Sequence, residues 1–210
     1  MRDYWIHSPW WLRKLYPNRV WSVDTKEKII YLTFDDGPHP EITPFVLDLL
    51  QQYKASATFF CIGENVLRYP EVFQKIKADQ HGVGNHTHKH LNGWKTSNRE
   101  YLQDVIEADR SIQAVWFRPP YGRLSISQAR GIRDQFPQMK IAMWDVLSGD
   151  FDVSKTGEWC AQNVKRQARG GSLVVLHDSE KAWERLKICL PMVLEHFNRI
   201  GYRFEKLPGA

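Results

Sequence analysis

Two adjacent carboxylates stand where an apolar stretch of the chain ends. Asp35 and Asp36 follow the apolar run of residues 29–32, and Gly37-Pro38 supplies a turn after them. Neighbouring residues of an extended strand point to opposite faces, so both carboxylates serve one site only if the strand ends there. Side by side they repel each other, and the pair is costly unless a cation or a shared proton relieves the repulsion. Taken alone, such a turn is more often simply solvated, so a metal site needs a second group of ligands.

A histidine cluster about fifty positions later supplies that second group. Three of the eight histidines fall within residues 86–90. His86 and His90 are four apart, which predicts both imidazoles on one side of a single helical turn. With one aspartate they form a three-ligand set that leaves positions open for water and substrate, as in catalytic metal sites. The alternative is an exposed polar loop, and we expect His88, between the two, to face solvent.

Other polar residues also follow the ends of apolar segments. Arg118, Asp150 and His177 each stand after such a segment. One charged residue after a strand is ordinary loop chemistry, so each case alone is weak evidence. Their common position at segment ends is the stronger indication of one shared site.

The chain alternates these apolar segments with segments of helical periodicity. Strands are predicted near residues 28–34, 57–62, 82–86, 115–118, 140–146, 171–177 and 202–206, and helices near residues 41–53, 70–79, 98–114, 125–136, 156–169 and 181–199. Short strands that are apolar throughout are typical of a parallel sheet covered on both faces. We therefore predict a single-domain α/β fold, an irregular (β/α)7 barrel, because a complete eight-stranded barrel usually needs roughly 250 residues. In barrels the active site lies at the C-terminal ends of the strands, where the polar residues fall.

The first 26 residues form a tryptophan-rich N-terminal arm, which we separate from a catalytic domain of residues 27–207. The arm holds four of the nine tryptophans: Trp5, Trp10, Trp11 and Trp21. Polar residues interrupt every apolar stretch, so the arm is neither a signal peptide nor a membrane span. An interfacial membrane anchor and a saccharide-stacking strip are the functional alternatives. We favour an arm that packs its indoles over one end of the barrel.

Composition narrows the class of protein further. A chain of 210 residues with 42% hydrophobic content can bury the core of one domain. The net charge of +5 is mild and no basic run predicts a nucleic-acid partner. We expect a monomer, located in the cytoplasm by default because no export signal is recognised, with the cell envelope as the alternative.

At these motifs the chain resembles the polysaccharide deacetylases of carbohydrate esterase family 4, the NodB-homology domain. The resemblance covers roughly residues 28–206, and segments 33–37 (TFDDG), 86–90 (HTHKH) and 118–122 (RPPYG) match in the family's order. Members are metal-dependent enzymes that remove N- or O-acetyl groups from chitin, peptidoglycan or xylan. The resemblance implies deacetylation of a glycan that contains N-acetylglucosamine, peptidoglycan or chitooligosaccharide, by attack of a metal-bound water on the acetamide.

The resemblance also implies roles for the first motif residues. Asp36, His86 and His90 are implied as ligands of one divalent ion, with zinc as first choice and cobalt or nickel as alternatives. Asp35 is implied as the general base. Arg118 would pair with Asp35 and hold its rotamer.

The later motifs imply a general acid and its partner. His177 is the natural acid, because the unperturbed pKa of imidazole, about 6.5, lies near working pH. The acid that orients His177 is open, because Leu147 stands where many members of the family carry an aspartate. Asp150 is our first choice and Asp145 is the alternative.

Three residues are expected against the acetylated glycan. A backbone N–H near Tyr121 is implied to face the oxyanion. Phe151, where the family carries tryptophan, would form an apolar wall against a sugar ring, and Leu176 is the third contact.

Three alternatives stay open at this point. An O-acetyl ester deacetylase of xylan-like glycans would use the same residues. A non-haem iron oxygenase also binds its metal with two histidines and a carboxylate, but the second carboxylate and His177 favour hydrolysis. A non-catalytic saccharide-binding protein of the same fold is the third.

Overall fold

Parallel strands form the inner wall of the fold, and residues 8–210 of this computed structural model contain nine of them. They are β1 Arg19–Val20, β2 Ile29–Asp35, β3 Thr58–Cys61, β4 Gly82–Asn85, β5 Trp116–Phe117, β6 Lys140–Ala142, β7 Val146–Leu147, β8 Leu173–His177 and β9 Arg203–Phe204. The strand order is β1-β6-β5-β4-β3-β2-β8-β7, with β9 beside β2, and every ladder between these strands is parallel. Within the described chain the end strands β1 and β7 do not pair, so the curled sheet is an open barrel.

Helices cover the outside of this sheet. They are α1 Trp10–Leu15, α2 Ile42–Gln52, α3 Gly63–Arg68, α4 Pro70–Ala78, α5 Asn98–Ile112, α6 Ile126–Gln135, α7 Gly157–Gln167 and α8 Trp183–Arg199. Ser97, Ser125 and Thr156 begin α5, α6 and α7, because each side chain accepts a hydrogen bond from a backbone N–H of the first turn. No helix in the described part of the chain is long and apolar enough to cross a membrane.

Alternate residues of β2 and β8 face two different layers. Leu32 and Leu176 lie in the large apolar cluster shared with the helices, whereas Tyr31 belongs to an inner cluster. Because side chains alternate along a strand, the inner face continues to Asp35 and His177 at the strand ends. Burial of each large apolar side chain contributes about 1.5–3 kcal/mol, so these strand ends are set by the core beneath them.

The predicted α/β barrel is confirmed, with local differences. The predicted strand 140–146 is two strands, β6 and β7, separated by residues 143–145. The short helices α1 and α3 and the two-residue strand β1 were not predicted, since none of them is long enough to show an apolar period. β1 brings the end of the N-terminal arm into the sheet, beside β6.

The tryptophans of the arm differ in solvent exposure. Trp21 is buried, with 6% of its surface exposed, as the predicted packing requires. Trp10 and Trp11 are 69% and 45% exposed, so the prediction that all the indoles pack over the barrel is wrong for these two. Trp5 lies outside the described residues.

Candidate active site

The two aspartates at the end of β2 contact different partners. Asp35 ends the strand and is buried, and its Oδ1 accepts a hydrogen bond of 2.7 Å from Arg118 Nη1. Asp36 has a left-handed backbone, with φ at +79°, which ends the extended chain and points its carboxylate elsewhere. Its Oδ1 lies 3.1 Å from His90 Nε2 and 3.6 Å from His86 Nε2. One carboxylate therefore faces a guanidinium and the other faces two imidazoles.

The histidines meet on a loop, and the predicted helical turn is wrong. His86 directly follows β4, and Thr87 and His90 have φ values of +64° and +55°. These left-handed residues fold the chain back on itself, which a helix would not permit. The imidazole rings of His86 and His90 still come within 5.1 Å of each other, so the two predicted ligands meet by a different backbone path.

A buried aspartate that sequence reasoning did not single out holds this loop. Asp104 of α5 accepts the backbone N–H groups of His88 and Lys89 at 2.8 and 3.0 Å. Nothing in the sequence marks Asp104, because it lies in the middle of an ordinary amphipathic helix. His88 is half-buried, with its ring against Gly63, and is not the solvent-facing residue that we predicted.

The tautomer of His86 is set by a backbone carbonyl. His86 Nδ1 lies 2.7 Å from the carbonyl oxygen of Arg118, which can only accept, so Nδ1 carries the proton. The lone pair of Nε2 then faces Asp36. Burial lowers the pKa of His86 to about 4, against the opposing charge of Asp35, and the ring is neutral as a metal ligand must be.

Asp36, His86 and His90 fit a divalent cation. One ligand atom of each lies within 4.8 Å of the others. Asp36 Oδ1 is buried and accepts no hydrogen bond of normal geometry within the described residues. Burial would raise the pKa of Asp36, but the contact with His90 and the charge of His177 outweigh burial and hold it well below its usual range. An ionised, unsatisfied oxygen beside two imidazoles is the donor chemistry that such a cation satisfies.

Arg118 is fixed from several sides and is not the surface ion pair that a lone arginine after a strand would suggest. Its side chain is 1% exposed. Nη1 also donates to Thr33 Oγ1 at 2.7 Å, and Nη2 donates to the carbonyl oxygen of Met143 at 2.9 Å. The guanidinium lies 4.1 Å from the ring centre of Phe60. Burial lowers the pKa of Arg118, and the charge of Asp35 opposes that change.

The carboxylate that contacts His177 is Asp150. His177 Nδ1 lies 2.7 Å from Asp150 Oδ1, and the His177 backbone N–H donates to Asp150 Oδ2 at 2.8 Å. Burial would lower the pKa of His177, but the buried Asp150 outweighs it and raises the pKa to about 9. Asp145 faces away from His177, with an ion pair to Arg13 and a hydrogen bond from Ser172.

Two of the three expected substrate contacts lie beside the site. Tyr121 is 61% exposed, and its ring centre is 4.7 Å from that of His90. The ring of Phe151 lies 5.4 Å from that of His177. Leu176 is fully buried in the layer between sheet and helices, so its predicted substrate contact is not supported. Strand alternation explains this error, because a neighbour of His177 in β8 must face the opposite side.

Comparison with known proteins places the chain among deacetylases. Residues 22–134 match the model of the family described as polysaccharide deacetylase. A peptidoglycan-N-acetylglucosamine deacetylase of Bacillus cereus is 34% identical over 190 residues, which cover 88% of this chain and 89% of that protein. A chitooligosaccharide deacetylase of Azorhizobium caulinodans is 31% identical over 163 residues, 74% of this chain and 76% of that protein.

The fold shows the same relationship. The crystal structure of a peptidoglycan N-acetylglucosamine deacetylase in complex with 4-naphthalen-1-yl-N-oxidanyl-benzamide matches with a TM-score of 0.85 and 28% identity. The match covers 96% of this chain and 95% of that structure. By family model, sequence relatives and fold, this chain belongs to the polysaccharide deacetylases of carbohydrate esterase family 4.

Proposed function

We propose that this protein is a metal-dependent deacetylase that hydrolyses the acetamide of N-acetylglucosamine residues in peptidoglycan or chitooligosaccharides. The observation that carries the proposal is the division of the aspartate pair, with Asp35 on Arg118 and Asp36 on the two histidines. Metal-dependent hydrolysis of an amide uses two such environments, one for a general base and one for the metal. The similar Bacillus cereus and Azorhizobium caulinodans proteins carry the names of deacetylases of these two glycans. A peptidoglycan substrate would place the reaction in the cell envelope.

Asp36, His86 and His90 would hold one divalent ion, for which we propose zinc. Imidazole and carboxylate donors also suit cobalt and nickel, so the residues alone do not select among the three. When bound, the ion would polarise the acetyl carbonyl and lower the pKa of a coordinated water from 15.7 to about 7.

Asp35 is the proposed general base, and Arg118 is its positioning residue. The bond from Arg118 Nη1 holds Asp35 Oδ1, which leaves Oδ2 as the atom that takes the proton of the attacking water. Arg118 is itself fixed by Thr33 and Met143, so the base is oriented before substrate arrives. Such preorganisation lowers the barrier without a cost in reordering during the reaction.

His177 is the proposed general acid. Because Nδ1 is bound to Asp150, the proton that can be transferred is on Nε2. A pKa of about 9 keeps the imidazole protonated at neutral pH, ready to protonate the departing amine. An unprotonated amine is a very poor leaving group, so this proton is needed for amide cleavage.

Tyr121 and Phe151 are the proposed walls for the sugar. One aromatic ring lies beside His90 and the other beside His177, so a sugar at the metal site would meet both. We also propose that the backbone N–H near Tyr121 stabilises the oxyanion.

Acetate release over a panel of acetylated glycans tests the function. The protein is stripped with a chelator, reloaded with zinc, and incubated with chitopentaose, peptidoglycan and acetylated xylan, with mass spectrometry of each product. We expect acetate from the first two, only with metal, and one free amine for each acetate. Release from xylan alone would favour the O-acetyl esterase. Binding of the glycans by metal-loaded protein without any release would favour a saccharide-binding protein.

A further inference from the structure

The N-terminal arm contacts every residue of the short connection between β6 and β7. The Met143 backbone N–H donates to the Val20 carbonyl at 2.7 Å. Ser8 Oγ donates to the Trp144 carbonyl at 2.6 Å, and the Ser8 backbone N–H donates to the Asp145 carbonyl at 3.2 Å. The connection is therefore held from the arm along its whole length.

An ion pair strengthens this attachment. Arg13 of α1 pairs with the side chain of Asp145, which is 1% exposed. Asp145 also accepts a hydrogen bond of 2.5 Å from Ser172 Oγ, and its backbone N–H donates to the Leu173 carbonyl at 3.0 Å. Burial of a carboxylate is costly unless the carboxylate is paired, and Arg13 is a cationic partner of Asp145. Asp145 is thus anchored to β8 on one side and to the arm on the other.

The same connection supports the residue that holds the proposed base. The carbonyl oxygen of Met143, two residues before Asp145, accepts the bond from Arg118 Nη2. The other end of that guanidinium is bonded to Asp35. A planar guanidinium held at both ends transmits a shift at one end to the other, because its donors have a fixed geometry.

We propose that Arg13 is a positioning residue for the reaction: through Asp145 it fixes the Met143 carbonyl, and through that carbonyl it fixes Arg118 against Asp35. Through Arg13, the arm then supports the orientation of the proposed base. The inference rests on the proposed function, in which Asp35 is the base.

A double-mutant cycle tests the link. Arg13→Gln and Arg118→Lys are made singly and together, and kcat and KM are measured for acetate release from chitopentaose by zinc-loaded protein. Lysine cannot bridge Asp35 and Met143, so Arg118→Lys removes the step through which Arg13 acts. Since a misplacement of 1 Å can cost about 10²-fold, we expect Arg13→Gln to lower kcat by about tenfold with little change in KM. In the Arg118→Lys background, Arg13→Gln should lower kcat by less than about twofold, because the effects of two residues that act through one another are not additive.

Matched variants separate positioning from loss of fold. Lys14→Gln changes the next residue of α1, which is exposed, and should leave kcat unchanged in both backgrounds. Arg13→Lys keeps a cation beside Asp145 and should recover most of kcat. Ser8→Ala loosens the same connection but keeps the ion pair of Arg13 with Asp145, and its smaller loss of kcat should also vanish in the Arg118→Lys background. Each variant is assayed well below its own melting temperature, with metal content measured.

The outcomes are distinct. Three results would overturn the role of Arg13 and leave the proposed function intact. They are an equal loss of kcat from Arg13→Gln in both backgrounds, a rise in KM alone, and a wild-type kcat for Arg13→Gln. Wild-type protein that releases no acetate from any glycan would overturn the proposed function, and the role of Arg13 with it.

Discussion

Asp35 of β2 and His177 of β8 are direct partners in the parallel register of the sheet. Neighbouring strands lie about 4.8 Å apart, so the backbones of the proposed base and acid are separated by one strand spacing. Each also has its own oppositely charged partner, Arg118 for Asp35 and Asp150 for His177. The sheet therefore sets two proton-transfer groups on one edge, with Asp36 and its histidines beside them.

Loss of one histidine ligand should release the metal. His86→Ala removes a nitrogen donor that lies 3.6 Å from Asp36 Oδ1. Loss of a residue that only supports a metal ligand costs 10–100-fold in affinity, so loss of a ligand itself should cost roughly 100-fold or more. The metal content of the dialysed protein measures this loss of affinity. His88→Asn is the control in the same loop and should keep its ion, whereas full occupancy in His86→Ala would show that the ligands are misassigned.

The two aspartates should fail in different ways. Asp36→Asn should weaken metal binding, and excess metal should restore part of the rate. Asp35→Asn should keep the metal and lower kcat by about 10²–10⁴-fold, which is the usual contribution of general-base catalysis to the rate. Both variants are titrated with zinc while acetate release is followed. Equal rescue of both by added metal would contradict the division of roles.

Some of this site was predictable from sequence because apolar runs mark strand ends. Asp35 and His177 both end such runs, and parallel strands bring their ends to one edge. Asp150 is the first choice from sequence as the partner of His177 and is the residue in contact with it. The sequence left Asp145 open as the alternative, because it does not show the break between β6 and β7 at residues 143–145. Sequence pattern showed only one continuous strand there.

Other parts needed the backbone itself. His86 and His90 do lie together, as the prediction of two ligands requires, yet their helical spacing is coincidental. The left-handed φ values that bring them together fall on residues other than glycine and leave no mark in a sequence. The contact of Arg13 with Asp145 spans 132 positions of the chain and has no local signal. The predicted substrate contact of Leu176 was an avoidable error, because strand alternation places a neighbour of His177 on the opposite face and could have been applied to the sequence alone.

The alkaline limit of activity should depend on Asp150. The folded pKa of His177 is about 9, above its ordinary 6.5, so the protonated acid is present at neutral pH and is lost as pH rises through about 9. Because this pKa is raised on folding, the ion pair of His177 with Asp150 also stabilises the folded protein. That contribution is fully present below about pH 6.5 and is lost as pH rises through the folded pKa. Asp150→Asn should move the alkaline limb of the kcat profile to lower pH. Asp145 pairs with Arg13 and not with His177, so Asp145→Asn should leave the alkaline limb in place. A shift of that limb in Asp145→Asn but not in Asp150→Asn would make Asp145 the partner of His177.

The last prediction concerns the leaving group. A departing amine must be protonated, whereas the alkoxide or phenoxide of an acetate ester leaves more readily, so removal of the general acid should damage amide cleavage more than ester cleavage. His177→Ala should lose most activity on an N-acetylglucosamine oligomer and keep proportionally more on an activated aryl acetate.

Metal content should stay unchanged in His177→Ala, because His177 is outside the proposed ligand set. Asp150→Asn should reproduce the amide-selective loss, since it removes the carboxylate 2.7 Å from His177 Nδ1. Asp145→Asn is the matched control, because Asp145 is also a buried aspartate but pairs with Arg13 and not with His177. It should lower activity on both substrates in the same proportion, because it acts on the orientation of the base and not on the leaving group. Equal losses on amide and ester in His177→Ala, or loss of its metal, would make His177 a ligand or a structural residue and not the acid.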